Sequence, residues 1–507
     1  MQREPRERTQ EHAVVSRRRA CLILVASRLE YLLTNPWLIG AVALLAVSFG
    51  SIVVSNARDL GEAHERHALE LQRRLSATIQ PVGPSGRQVD RALRILRPPA
   101  TAALLVAGQE PSMPAGWDVG PATVEALPPY APLNASKGLD NADDGGVFIA
   151  QFGGLLALVF GLTNVLRDRR RGWSDAERGT TASPYIFHLA DLTAACLAIA
   201  VAVGALFGAV GLVLHRVLVE SWLEATQTLL MLAPLTWLYF VAFYAYGAAI
   251  GWYVREPLRA VAGAAIFWVC LVLVGPHLSL WFGSAVVPPS RARAEHDRRD
   301  AYTDQIRRIE SQVEGQIDVR VGNSPSASER DRRATAAFAA LEPAWIHGLE
   351  EARSVVNTME KAWRTQVDQV AADLQRASRL PPSMLLPQIL AELSGTGDLT
   401  RRRWEDSVSA YKKKLDQELF DDPPTVILRL LTDGEVESWM HVRHPVKPVR
   451  DLPTFLSPTI TIRDRWQATA SGAIALALHT VAALVLAMVT QRRAWRRYDF
   501  ASIGSAD

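Results

Sequence analysis

The side chains able to do chemistry are thinly spread along this chain of 507 residues. His64 and His67 stand three apart with Glu65 and Glu70 close by, and His441 and His444 repeat the spacing. Two imidazoles at i, i+3 could begin a metal site, but neither pair belongs to a His-Glu-x-x-His arrangement. Both pairs read as solvated surface histidines, and no metal is expected. No Gly-x-Ser-x-Gly elbow is present to activate a serine. No Gly-x-x-x-x-Gly-Lys-Ser/Thr is present to cradle nucleotide phosphates. The chain is therefore expected to have no catalytic residue and no cofactor of its own. His277 and His479, with Gln151 as a neutral group, are the mid-membrane candidates for ion or proton coupling. Ionisable groups there can relay protons, but hydrogen bonding between helices is the simpler role and the expected one. Asn134-Ala-Ser136 fits a glycosylation sequon, a tripeptide common by chance.

Charge is densest between residues 164 and 184. Arg167, Arg169, Arg170, Arg171 and Arg178 cluster there with Asp175 and Glu177, between two long apolar runs. The segment is too basic to sit in lipid, and an excess of Lys/Arg in a short loop marks the cytoplasmic side of a membrane. The flanking runs, 146–166 and 192–214, are each long enough to cross about 30 Å of hydrocarbon at about 1.5 Å per residue. These two runs put the chain in a bilayer.

Composition agrees. The chain is 49% hydrophobic yet its mean hydropathy is only +0.06, which averages greasy spans with very polar stretches. Lys+Arg 55 against Asp+Glu 52 leaves no global charge to attract nucleic acid, so none is expected as a partner. Cys21, Cys196 and Cys270 all lie in or beside apolar segments, so no disulfide can staple the regions placed outside. Abundant arginine and alanine fit a bacterium with a GC-rich genome.

Taken in order, residues 1–36 form an arginine-rich tail followed by an interfacial helix whose Leu22, Val25, Leu29, Leu32 and Leu33 recur at helical spacing. Asn35-Pro36 ends it, and residues 37–55 make the first span. It is too apolar and too far from Met1 to be a cleaved signal peptide. Residues 56–145 form a first extracytoplasmic domain, with amphipathic helices expected at 60–79 and 89–96. The second span is 146–166, the cytoplasmic loop 167–191, and the third span 192–214. The fourth is 229–254 and the fifth 260–283, with a kink expected at Gly275-Pro276. Residues 284–466 form a second extracytoplasmic domain, 467–490 the sixth span, and 491–507 a basic tail. Short-loop charge then places both termini in the cytoplasm and the chain in the inner membrane.

The second external domain has the clearest periodicity. Trp345, Leu349, Ala352, Val356, Met359, Trp363, Val367, Val370 and Leu374 step by three or four, as one apolar stripe on a straight helix does. Tyr302, Ile306, Ile309, Val313 and Ile317 form a partner seam, and Trp404, Val408, Tyr411, Leu415 and Leu419 a third. A mostly helical bundle is expected, with Trp345, Trp363 and Trp404 in its core. The fold class is thus an all-α integral membrane protein with six transmembrane helices and two extracytoplasmic insertions.

Six spans, an interfacial helix and the turn carrying Asp175, Glu177, Gly179 and Thr180, with Ser183-Pro184 after it, resemble the permease subunits of ABC-2 type transporters. Pro98 and Pro99 after Arg97, then Gly108, Glu110, Pro111 and Pro114, and later Gly395 and Thr396 after Leu380-Pro-Pro-Ser383, resemble a bacterial subfamily with large external insertions. The chain departs from the family after Gly179-Thr180, where Thr181-Ala182 replaces a leucine-rich stretch. The resemblance implies an ATP-driven transporter, an exporter rather than an importer. ATP and Mg would sit on a separate cytoplasmic ABC ATPase subunit, and a second permease subunit would complete a dimer in the lipid bilayer. It further implies that Arg169, Arg170, Arg171, Asp175, Glu177, Gly179 and Thr180 touch the ATPase. The alternative is a non-transporting membrane anchor that transmits motion to an external helical scaffold.

Overall fold

The computed structural model describes residues 21–79, 93–100, 103, 105–106, 113–119, 124–127, 144–170, 184–217, 222–275, 291–321, 326–377, 379, 381–420, 425–429, 439–443 and 454–503. In chain order the helices are α1 (21–33), α2 (Pro36–Ile79), α3 (Gly145–Phe148), α4 (Gly154–Arg170), α5 (Pro184–Val217), α6 (Trp222–Tyr253) and α7 (Pro257–Trp268). They continue as α8 (Arg291–Val321), α9 (Ala327–Ala377), α10 (Pro382–Ser394), α11 (Asp398–Phe420) and α12 (Ile462–Ile503). Two π-helical turns, Ile149–Gly153 and Val269–Val274, interrupt the helices that α4 and α7 belong to.

Six helical stretches are long and apolar enough to cross a membrane: Pro36–Gln72, Gly145–Arg170, Leu189–His215, Thr226–Tyr253, Pro257–Val274 and Ile462–Trp495. This is the framework of an all-α multi-pass membrane protein. Six consecutive crossings must alternate in direction, which puts the ends at Pro36, Arg170, Pro184, Tyr253 and Pro257 on one side, here the arginine side. The segments between the first two spans and between the last two lie on the other, the insertion side.

α6 is the centre of the bundle. Two-thirds (67%) of its apolar window is buried, against 17% for the first and fifth spans, and α4, α5 and α12 all pack on it. Lipid tails give no hydrophobic drive between helices, so close approach of small residues must supply the contact. α4 and α6 do this reciprocally: a Cβ at Gly161 would collide with the Tyr244 carbonyl, and one at Gly247 with the Leu158 carbonyl. Ala242, Ala245 and Ala249 meet Ala483 and Ala487 of α12 in the same way.

Local signals act where the sequence puts them. Asn35 ends the interfacial helix, its Oδ1 accepting from the Trp37 N–H at 3.1 Å, and Pro36 opens α2 with a φ already set for a helix. Asp144 caps the second span through its Oδ1, which accepts from Gly146 and Val147 at 2.7 and 3.3 Å. Gly395 closes α10 at φ 73°, a left-handed position that glycine takes without a Cβ penalty.

Four expectations need correction. Residues 60–79 are no separate helix but the continuation of the first span: α2 runs unbroken for 44 residues, about 66 Å at 1.5 Å rise, twice the hydrocarbon thickness. The helix expected at 89–96 is instead the strand β1, Leu93–Leu96. It pairs antiparallel with β2 (Gly116–Val119), which pairs with β3 (Val124–Ala126). Leu93 and Ile95 fit a period of two as well as a helix, and only the partner strand decides between them. A second ribbon, β4 (Thr425–Arg429) with β5 (Trp439–Arg443), was not foreseen either. At the end of the fifth span the π turn Val269–Val274 precedes the expected kink; Pro276 and His277 lie outside the described residues.

The third correction concerns packing. α8 and α9 do pair along the expected seam, with Ile309 seated over Gly348 and Val313, Trp345, Ala352 and Val356 buried. Met359, Trp363, Val367 and Val370 are only half-buried, so the stripe fades along α9. The third seam, on α11, does not join this pair through its apolar face. Trp404, Val408 and Leu415 pack instead on Ile95, Trp117 and Val119 of the sheet, and Trp404 stacks on Trp117 at 5.9 Å and 12°. The polar side of α11 is what meets α9, where Arg364 reaches Ser409 and Asp406. The two segments expected to be separate domains thus share a core.

The fourth concerns length. α9 is 51 residues long and passes through Pro343 without ending, which makes it longer than the stripe alone implies.

Candidate functional site

The sequence places the candidate site on the arginine side, in the loop between the second and third spans. Arg171, Asp175, Glu177, Gly179 and Thr180 lie outside the described residues. The helix ends that carry this loop are described, and they hold the most heavily charged buried cluster on that side.

Arg28 of α1 donates from Nη1 to Oδ1 of Asp168 on α4 at 3.2 Å, with both side chains under a tenth exposed. Its Nε lies 3.7 Å from Asp191 Oδ1 on α5. One guanidinium therefore faces two carboxylates from the two helices that lead into and out of the loop. Buried charges are retained only when paired, and removing one partner of such a set is far more costly than replacing all of it. The interfacial helix is further tied by Arg167, whose guanidinium lies 4.7 Å from the centre of the Tyr31 ring. One turn deeper, Asn164 Nδ2 donates to the Tyr244 hydroxyl at 3.0 Å, joining α4 to α6.

Arg169 is engaged within the chain. Its Nη1 and Nη2 donate to the carbonyls of Val254 and Trp252 at 2.9 and 2.8 Å, and its guanidinium lies 5.3 Å from the Trp252 ring. A helix leaves its last carbonyls without intrahelical partners and carries partial negative charge at that end. Arg169 supplies both the donors and the positive charge to α6. Arg170 is exposed at the end of α4. Of the expected contact residues, then, one is committed within the chain and one faces outward.

The described motif residues of the two insertions are each held by their own hydrogen bonds. Arg97 is buried; its N–H donates to Ala115 and its Nε to the Pro114 carbonyl at 3.1 Å, which folds Pro98, Pro99 and Pro114 into one corner. Pro99 and Pro114 are buried and Pro98 is exposed; Gly108, Glu110 and Pro111 lie outside the described residues. Thr396, fully buried after Gly395, donates from Oγ1 to the Val106 carbonyl at 3.0 Å and shares that proton with Ala391 at 3.2 Å. Val106 in turn touches Gly146 at the start of the second span. These residues act as a clasp between insertions and span. Glu392, on α10, accepts from the N–H groups of Asp398 and Leu399 and so caps α11; burial holds its carboxyl above the ordinary glutamate range.

α10 connects this clasp to the membrane. Its Leu385, Leu386, Ile389 and Leu390 belong to the same apolar core as the spans. Ser383 donates to the Leu271 carbonyl at 2.7 Å, inside the second π turn. In the first π turn Tyr239 donates to Ala150 at 2.6 Å and Trp268 Nε1 to Gln151 at 3.3 Å. Side chains thus serve carbonyls of both irregular turns, a pattern that π turns show at working sites. His479 faces the Arg379 carbonyl at 3.1 Å, a partner in the turn between α9 and α10 and not on a neighbouring span.

His64 Nδ1 contacts the Leu60 carbonyl at 2.9 Å, and no group of three metal-ligating side chains occurs among the described residues. Sequence reading missed Arg28, Asp168 and Asp191 as a set. The three are far apart in the chain, and no local pattern joins them. Compared with family models, curated proteins and solved structures, the chain matches none.

Proposed function

We propose that this chain is the membrane subunit of an ATP-driven complex of the ABC-2 type, powered through the loop at residues 171–183 by a separate cytoplasmic ATPase. The observation that carries the reading is the buried Arg28–Asp168–Asp191 cluster, which joins the interfacial helix to both helices that hold the loop. A push on the loop would move α1, α4 and α5 together instead of bending one end alone. Arg169 then passes the displacement to α6, the helix on which the other spans pack. The chain lacks a phosphate-binding loop, so hydrolysis would belong to the partner. In this reading the arginine side is cytoplasmic, both insertions are extracytoplasmic, and two copies, or one copy and a homologue, make the pore of an exporter in the inner membrane. Cargo moves only if it binds the alternating states unequally.

The second reading is transmission of motion without transport. It is favoured by α2, which passes as one rigid helix from Pro36 through the membrane and beyond, and by the shared core of the insertions above it. Transport of a labelled cargo into sealed vesicles, measured with and without ATP, separates the two.

Glu177→Lys tests the common element. The variant should insert normally and keep its insertions folded. It should lose the copurifying ATPase, since a buried charge-assisted contact of this kind is worth about 2–5 kcal/mol. ATPase association that survives both Glu177→Lys and Arg170→Ala with Arg171→Ala would reduce the loop to a topology anchor.

A further inference from the structure

An apolar groove of about 470 Å³ opens between α2, α4 and α5. Trp37, Gly40 and Leu44 form one wall, Phe160 and Thr163 another, and Ala202 the floor. Along α4 and the last residue of the π turn before it, the groove follows ten steps from Thr163 to Gly153, about 15 Å at 1.5 Å rise, which is half of a hydrocarbon core of about 30 Å. Its depth comes from small residues, and Gly40 has no atom within 4 Å of where a Cβ would stand. An apolar cavity of this kind does not hold water, and the solvent beside a membrane span is acyl chain.

The groove has a polar end. Thr163 is one turn from Arg167, and Arg167 is three residues from Arg170, so i, i+4 and i+7 place all three on one face of α4. Arg167 is held over the Tyr31 ring and Arg170 is exposed. Two guanidiniums at the polar end of a leaflet-deep apolar groove complement a phosphate above an acyl chain, since guanidinium matches phosphate oxygens in pairs and basic residues at a membrane surface attract anionic lipid.

We propose that the groove between α2, α4 and α5 is a binding site for one acyl chain of an anionic phospholipid in the leaflet on the arginine side, with Arg167 and Arg170 at its headgroup. The occupant would wedge the first span apart from the second and third, beside the charge cluster that ties α1 to α4. Exchange of this lipid would therefore bear on how firmly those helices move together.

The test uses the full chain purified in mild detergent and supplied with phosphatidylglycerol and phosphatidylcholine of matched acyl chains, with retained lipid counted by native mass spectrometry. The wild-type chain should hold one phosphatidylglycerol in preference to phosphatidylcholine. Gly40→Leu with Ala202→Leu fills the groove and should cut retention at least fivefold, while Arg167→Gln with Arg170→Gln should keep a lipid but lose the preference. In parallel, phosphatidylglycerol carrying a photoreactive group on its acyl chain should label peptides bearing Leu44 and Phe160 in the wild-type chain, a readout independent of any variant's folding. Labelling confined to other spans, or retention unchanged when the groove is filled, overturns the proposal. So does a filled-groove variant that loses dimerisation while retaining its lipid, because the occupant is then a second copy of this chain.

Discussion

The two sides of this protein are held together by opposite physics. On the arginine side the helix ends meet through charge: Arg28 between Asp168 and Asp191, Arg169 on the last carbonyls of α6, Arg167 on Tyr31. On the insertion side, charge joins helices within the second insertion, where Arg364 of α9 reaches Asp406 of α11, but the joints between the two insertions and down to the spans are apolar or backbone-directed: Trp404 on Trp117, Thr396 on the Val106 carbonyl, α10 among the span side chains. Desolvated charges require their partners but can be rearranged among a few discrete pairings, whereas an interdigitated aromatic stack resists any displacement. Under the proposed function, the arginine side would receive the push and the insertions would follow as a unit.

The largest effect should follow from breaking the charged joint. Arg28→Ala takes the guanidinium away from buried Asp168 and half-buried Asp191 and should cost about 3–5 kcal/mol, read as a fall in unfolding temperature in detergent and as faster proteolysis of α1. Replacing the whole set, with Arg28→Met, Asp168→Leu and Asp191→Leu, should recover most of that loss. If the triple variant is no more stable than Arg28→Ala, desolvation is not what the cluster is managing.

On the insertion side, Trp404→Ala removes the stack on Trp117 and should cost about 3 kcal/mol, at the low end for a buried tryptophan because 7% of it remains exposed. The insertions should loosen together, so hydrogen exchange should rise in 93–97 and 116–119 as well as in α11. Exchange that rises in α11 alone would mean the shared core contributes little. Thr396→Val should cost less, about 1–2 kcal/mol, since it deprives the Val106 carbonyl of its donor while keeping the shape. Unlike Arg28→Ala, it should leave α1 as resistant to protease as before.

The smallest effect is a pH slope. Burial raises the Glu392 carboxyl above its ordinary 4.5 in the folded state, so the folded protein binds this proton more tightly than the unfolded chain does. Stability contributed by the protonated group is full below pH 4.5 and declines as pH rises from there through the raised folded value. Glu392→Gln should flatten that decline in denaturation midpoints taken across the acid range. An unchanged slope assigns the pH dependence to other carboxylates.

How much of this could be read from the chain divides by the range of the interaction. Hydrophobic run length and helical periodicity, both local, were enough to mark six apolar spans, a helix ahead of the first, the break at Asn35-Pro36 and the paired seams of α8 and α9. A helix satisfies its own backbone, so its sequence carries most of its specification. The strand at Leu93–Leu96 was illegible because a strand is satisfied only by a partner, here Gly116–Val119, and periodicity over four residues does not name one. The continuity of α2 was missed for a related reason: polarity rises after Ser55, but nothing there stops a helix, and composition marks where lipid ends without marking where a helix does. Trp404 was legible as buried, yet what buries it was set by a tryptophan 287 positions earlier, brought near only when the spans assemble. The candidate site shows the same division. Its charges were visible in the loop, while the pairing of Arg28 with Asp168 and Asp191, and of Arg169 with the end of α6, depended on the folded bundle, because a charge in a sequence has many possible partners and desolvation selects among them only once the helices are packed.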